Sequence, residues 1–348
     1  KTPISIKRYS YRQIVIVIIE RRSFNMIKKT YDLSLSELTE QWLEGLKLSV
    51  KLSTYSTYSF YFQHYLKPYT ENLLVNVLDQ AKVQDLLTQI QQGGRVQEAQ
   101  PLSANSMRLI YFILKSSVRY GVSIGALDLF PFPTLKANRK SEQRLVFFHK
   151  KEQERLEEYI LEHFSSMSAG ILVSLYTGLR IGELCALTWD QINLEEGFLS
   201  VNKTIQRIYL QDEGNSHATK VIISEPKTRN AQRDIPLSNQ LIQILNRLVP
   251  CQKDGVNFLT HEKGKYCEPR TYRNFFKRVL GECGLPQITF HACRHTFASR
   301  CVEIGIDVKT ISKLLGHSNV NLTLNRYVHS NLELQRKEME RLGNLMAI

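Results

Sequence analysis

The stretch from His291 to Tyr327 gathers side chains that donate protons or attack: His291, Arg294 and His295 in "HACRH", His317 in "LGHS" and Tyr327 in "NRYVH". None of these is a carboxylate. Such a set suits a reaction in which negative charge builds on an anionic group, because fixed positive donors stabilise charge where it develops. A phosphodiester cleaved without a metal ion is one such group. Arginine offers its oxygens a planar, permanently charged fork. A nucleophile must attack, and a proton must reach the oxygen that leaves.

Each requirement has candidates. "YTGLRIGELCAL" places Arg180 after a glycine turn at the head of a helix. Glu183 lies three residues on, on the same helical face, and is spaced to hold the guanidinium. Taken alone, that is a plain helix ion pair. His291 and Arg294 are also three apart, on one face near a helix N-terminus where anions are favoured. His295 is expected to point elsewhere, as a structural histidine. "DVKTISKLLGHS" reads as a short helix with Asp307 as N-cap and Gly316 as its stop, projecting His317 inward from a tight turn. Tyr327 is the only tyrosine after Tyr272, so a C-terminal tyrosine nucleophile has one candidate. With an ordinary pKa of about 10 it needs nearby cations or a base to attack as phenolate. A buried core tyrosine is the plainer alternative. For the proton donor, "KVIISEPKTRNAQRDIPLS" alternates like strands around a polar turn and puts Lys227 at a strand end. Lys220 and Arg229 are its rivals, and a solvated hairpin is the plainer reading.

The elements that must position these groups fall into two stretches, as 348 residues allow. From Asp32 the pattern is helical. "SLSELTEQWLEGLK" repeats apolar residues on one helical face, with Ser34 and Glu37 spaced as a capping box. A Ser/Thr/aromatic helix follows from near Ser53. A third helix stops at Gly93-Gly94, and a fourth ends at Gly121. "LFPFPTLKANRKSEQR" is a proline-broken basic linker suited to phosphate. The second unit opens with the amphipathic "HKKEQERLEEYILEHF", continues through an apolar helical stretch and a β-rich insert from Phe198 to Leu237, and returns to helices.

Composition bounds the partner. Hydrophobic residues make up 43% and charged residues 23%, the balance of a globular protein. The net charge is +13 and the pI about 9.4, which points to a polyanion, nucleic acid being the commonest. The longest aliphatic run, Ile14 to Ile19, is too short to span a bilayer. The six cysteines lie at or beyond Cys185 without a CxxC pair, which fits a reducing compartment, and a cytoplasmic location is expected. No phosphate-loop glycine motif and no HExxH occurs.

The order TGLRxGE, a hairpin KT…IPL, HxxRH, LGH and a tyrosine ten residues on resembles the tyrosine recombinase, or phage-type integrase, family, over the chain from about Leu35 to the end. The resemblance implies a mainly α fold with a small β insert. An N-terminal all-α core-binding (SAM-like) domain and a mixed α/β catalytic domain would form a clamp round DNA. The corresponding boundaries are 31–136 and 147–330, joined by a basic linker over 137–146. Residues 1–30 are a basic leader, either an appendage or sequence upstream of a start at Met26, and 1–25 look too short for an arm-type DNA-binding domain. Residues 331–348 form a tail helix docking on a neighbouring subunit or on its own domain.

By the same resemblance Arg180 and Arg294 bind the scissile phosphate. Glu183 supports Arg180, Lys227 protonates the departing 5′ oxygen, and His291 assists proton transfer at the nucleophile. His317 donates to a non-bridging oxygen, and Tyr327 forms a 3′-phosphotyrosyl link. The implied partners are double-stranded DNA with specific core sites, three further copies in a homotetramer on synapsed DNA, and accessory DNA-bending or excision factors. No cofactor, metal, ATP or membrane is expected. Cys293 departs from the bulky aliphatic that relatives carry before Arg294, which should alter packing rather than chemistry.

Integration and excision of a phage or conjugative transposon is the favoured role, since the chain is longer than a minimal resolvase needs. Resolution of chromosome dimers or plasmids is the alternative. A type IB topoisomerase uses similar chemistry but fits the LGH…Y arrangement less well, and a catalytically silent DNA-binding module would have no reason to fill all six positions. A zinc site from Cys283, His291, Cys293 and His295 matches no common finger spacing.

Overall fold

The computed structural model describes residues 32–94, 101–135, 146–210, 219–225, 231–248, 255–317, 319–321, 324 and 332–346. The basic leader, most of the linker, Lys227, Arg229 and Tyr327 lie outside the described residues. The chain divides into two compact units, Lys1–Ser141 with Ile208–Lys220, and Glu142–Arg207 with Val221–Ile348.

The helices of the first unit are α1 (Leu35–Leu46), α2 (Leu52–Tyr61), the short α3 (Lys67–Thr70), α4 (Gln80–Gly93) and α5 (Ala104–Ser123). The capping box starts α1 as its spacing predicts. The Glu37 amide donates to Ser34 Oγ at 3.1 Å, and the Ser34 amide donates to Glu37 Oε2 at 2.8 Å. Leu35, Leu38, Trp42, Leu43 and Leu46 are buried on its inner face, each such side chain stabilising by about 1.5–3 kcal/mol. A π-helical turn over Phe62–Leu66 joins α2 to α3. Gly94, at φ +58, stops α4. Helix α5 corrects the expected end at Gly121. It runs to Ser123, because Gly121 is packed inside against Leu38 and Leu127 where a Cβ would collide. The start of the expected linker is also packed, with Phe130, Phe132 and Leu135 against this core and Tyr111 donating to the Pro133 carbonyl.

The second unit holds α6 (Lys150–Glu162), α7 (Ser166–Thr177), α8 (Ile181–Ala186), β1 (Ile192–Asn193), β2 (Phe198–Val201), the greater part of β3 (Thr204–Tyr209) and of β4 (Thr219–Ser224), and β5 (Arg233–Pro236). After them come α9 (Asn239–Asn246), α10 (Pro269–Glu282), α11 (His291–Glu303), α12 (Val308–Leu315) and the tail helix α13 (Leu332–Leu345). Strands β1, β2 and β5 form an antiparallel sheet in that order, and β3 and β4 form a separate pair. In the β2–β5 ladder Leu199 faces Ile235 and Val201 faces Arg233. Period-two alternation therefore puts Arg233 on the same inward face as the buried Ile235.

Helix α11 packs along α7, and two of its side chains tie it to Phe148. Thr296 Oγ1 accepts from the Phe148 amide at 2.9 Å and donates to the Ala292 carbonyl. Arg300 donates to the Phe148 carbonyl and to Gln153. Cys293, before Arg294, is fully buried and fills the core as a small hydrophobe. The result is the mainly helical architecture with a small β insert that the residues imply. Among the described residues no helix is long and apolar enough to cross a membrane.

Candidate active site

Three chain segments supply the site: the turn before α8, the first turns of α11 and the end of α12. The αL conformation at Gly178, φ +69, ends α7 and sends the chain into α8 with Arg180 as its N-cap. A Cβ at Gly178 would lie 2.7 Å from the Phe297 ring and 2.8 Å from a Leu315 methyl, so only glycine fits.

Arg180 donates through Nη1 to Glu183 Oε1 at 2.8 Å, and its backbone amide donates to Oε2 at 3.0 Å. Its side chain is 37% exposed, against 4% for Glu183. Burial alone pushes the Glu183 carboxyl up. The Arg233 guanidinium and then Arg180 outweigh it, and the carboxyl stays below the usual carboxylate range.

Arg233 is the residue sequence reasoning missed. Its Nη2 lies 3.0 Å from Glu183 Oε2 and its Nη1 3.3 Å from Oε1. Nη1 also donates to the Ala231 carbonyl at 2.9 Å, and Nε donates to the Leu314 carbonyl at 2.6 Å. The available signal was its alternation with Ile235, since an arginine on an inward strand face needs an acid.

Arg294 is 1% exposed. It donates through Nη1 to the Gly178 carbonyl at 2.8 Å and through Nη2 to the Leu315 carbonyl at 2.6 Å. One side chain thus joins the loop two residues before Arg180 to the position two residues before His317.

The end of α12 explains why both arginines reach it. Asp307 caps the start by accepting from the Thr310 amide at 2.9 Å. At the other end Gly316, φ +61, gives a Schellman turn, in which the His317 amide donates to the Ser312 carbonyl and the Gly316 amide to that of Lys313. The next two carbonyls, Leu314 and Leu315, have no amide to accept from within the helix, and Arg233 and Arg294 supply those donors. His317 leaves this turn half-buried.

His291 occupies the first position of α11, near the helix N-terminus as the sequence predicts, and is exposed. The expectation that His295 points elsewhere is corrected: its ring meets that of His291 edge-on, with centroids 4.5 Å apart. One helical turn separates the two, which sets both rings on one side.

Tyr272 is fully buried, bonded to the Met167 carbonyl, and burial drives its phenol well above the ordinary value. It is unsuited to act as a phenolate. Lys220 is an exposed residue of β4. Among the described residues no three His, Cys, Asp or Glu side chains are placed to hold a metal ion. Cys283 and Cys293 are core residues whose thiols burial pushes up.

A profile of the phage integrase family matches residues 146–333, and one of the phage integrase N-terminal SAM-like domain matches residues 34–90. The chain belongs to the phage integrase family. Its similarity to known members runs through tyrosine recombinases of two kinds. A XerC-like tyrosine recombinase of Caldanaerobacter subterraneus is 28% identical over 90% of this chain and 84% of its own length. The transposase of transposon Tn916 from Enterococcus faecalis is 27% identical over 62% of this chain, which spans 53% of that relative. Among solved structures, the Tn1549 transposon integrase in complex with transposon right end DNA matches with a TM-score of 0.71 and 22% identity, covering 89% of this chain and all of that one. The chain is accordingly a tyrosine site-specific recombinase.

Proposed function

We propose that this chain integrates and excises a mobile DNA element by cutting and rejoining strands through a 3′-phosphotyrosyl link on Tyr327. The observation that carries the reading is the Arg294 guanidinium, whose bonds to the Gly178 and Leu315 carbonyls gather the TGLR, HxxRH and LGH motifs at one place. Arg180, held by Glu183 and partly exposed, presents its fork to one non-bridging oxygen of the scissile phosphate. Arg294 binds the same phosphate from the place where these motifs meet, and His317 donates to a non-bridging oxygen. Together these charges stabilise the extra negative charge of the transition state. His291, exposed at the start of α11, takes the proton from Tyr327, and Lys227 returns one to the 5′ oxygen that leaves. The link keeps the phosphodiester's free energy, so a partner strand's 5′-hydroxyl reverses the step without another energy source.

In this reading residues 31–136 are the core-binding domain and 147–330 the catalytic domain. DNA with specific core sites is the substrate, and a homotetramer on synapsed DNA is the working assembly. Similarity to the Tn916 transposase supports the mobile-element role.

The test is covalent trapping. Nicked duplexes tiled across the ends of the DNA element that encodes the chain release the cleaved strand, and the adduct is mapped by peptide sequencing after incubation in EDTA. An adduct on Tyr327, lost in Tyr327→Phe with DNA binding retained, is expected. Tight binding with no adduct would remove the reading.

A further inference from the structure

Arg233 lies apart from the roles assigned above, yet it is bonded to Glu183 and to two main-chain carbonyls beside them. Its side chain is 4% exposed, and Nε, Nη1 and Nη2 all have acceptors. Its bonds, two to Glu183 and one each to the Ala231 and Leu314 carbonyls, turn the guanidinium toward the protein, so its effect on cleavage passes through those partners. Those partners are Glu183, which holds Arg180, and the Leu314 carbonyl, at the turn that ends in His317. We infer that Arg233 is a positioning residue for strand cleavage, clamping Glu183 and the end of α12 so that Arg180 and His317 are set for one phosphate. The inference rests on the recombinase reading above.

Two physical points favour it over a merely stabilising role. A buried ion pair gains little net stability, because desolvation offsets its attraction, and an apolar pair of similar volume would serve as well. The fork also does what a point charge cannot. It spans both carboxylate oxygens of Glu183 while a third nitrogen reaches a carbonyl on another element. The charged groups bonded to Glu183 are Arg180 and Arg233. With Arg233 gone, burial would act on that carboxyl against Arg180 alone, and a protonated Glu183 would hold Arg180 less well.

The experiment measures single-turnover adduct formation at saturating protein on the nicked duplexes above, DNA affinity by mobility shift, and fraction folded by circular dichroism. Arg233→Lys keeps a charge beside Glu183 but loses the fork. It should fold and bind DNA as the wild type does, while adduct formation per bound, folded molecule slows about 100-fold, the scale of an ångström of misplacement. Arg233→Gln should lose cleavage at higher pH than the wild type does, because protonation of Glu183 is added to that of the base His291. Should Arg233→Gln not fold, Arg233→Lys decides alone. Wild-type cleavage rates in folded Arg233→Lys would overturn the inference while leaving the recombinase reading intact. No adduct in the wild type would remove both.

Discussion

Arg180 and Arg294 are held in different ways, and substitutions should separate them. Arg180 is partly exposed and leans on a carboxylate, whereas Arg294 is enclosed and bonded to main-chain carbonyls. Arg180→Lys keeps the charge and loses the fork, so adduct formation should fall far more than DNA affinity. Equal losses in both would make Arg180 a binding residue. Glu183 gives a pH prediction. Its folded-state pKa is depressed, so its ionisation contributes stability above its unfolded value of about 4.3, lost as pH falls through the lower folded value. Urea unfolding of wild type and Glu183→Gln should therefore differ most at neutral pH and converge in acid; a constant difference would contradict the ion-pair account. The Arg180–Glu183 pair was legible because it is local, three residues apart on one helix. Arg233 was not, since its acid lies 50 residues away and an arginine in a short strand ordinarily reads as solvent-facing.

At the scale of elements, the turns carry the placement. Gly178 and Gly316 are both left-handed, and a Cβ at Gly178 would also meet Phe297 and Leu315. Gly305, also left-handed and with open space where a Cβ would go, is the control: Gly305→Ala should cost about 1–2 kcal/mol from strain alone. Gly178→Ala adds overlap to strain and should cost about 1–3 kcal/mol more, with slower cleavage because its carbonyl anchors Arg294. Thermal or urea unfolding checks the order; equal losses would mean the neighbours yield freely. The start of α1, the stop of α4 and the caps of α12 could be read from sequence because capping chemistry is local. The end of α5 could not. Gly121 resembles a stop signal, yet its smallness serves contact with Leu38, on a helix some eighty residues earlier.

At the scale of the whole molecule, charge and the tail helix make the predictions. A net charge of +13 implies many phosphate contacts, so the logarithm of DNA affinity should fall linearly with that of salt, by about 0.9 for each phosphate neutralised. A shallow slope would move the interface away from the basic surface. On α13, Met339 and Leu342 are exposed at helical spacing, with Met346 following just past its end. Deleting 332–348 should leave cleavage by isolated protein intact and reduce assembly on paired DNA, seen as fewer synaptic complexes; unchanged assembly would assign the helix to its own domain. The two-unit division could be anticipated from the change in pattern near residue 140. The grouping of Ile208–Lys220 with the first unit could not, because membership of a unit is set by distant contacts that no local periodicity records.

The terminal carbonyls of α12 have a consequence for how the chain tolerates change. Arg233 and Arg294 take consecutive carbonyls, Leu314 and Leu315, immediately before the turn that delivers His317. Main-chain atoms, rather than side chains, are thus the reference marks from which the site is measured. The identities of residues 314 and 315 are free to drift as long as the core stays filled, but their number is not. One residue inserted between Leu315 and His317 would shift the histidine out of step with both guanidiniums at once, and no substitution elsewhere could restore the count.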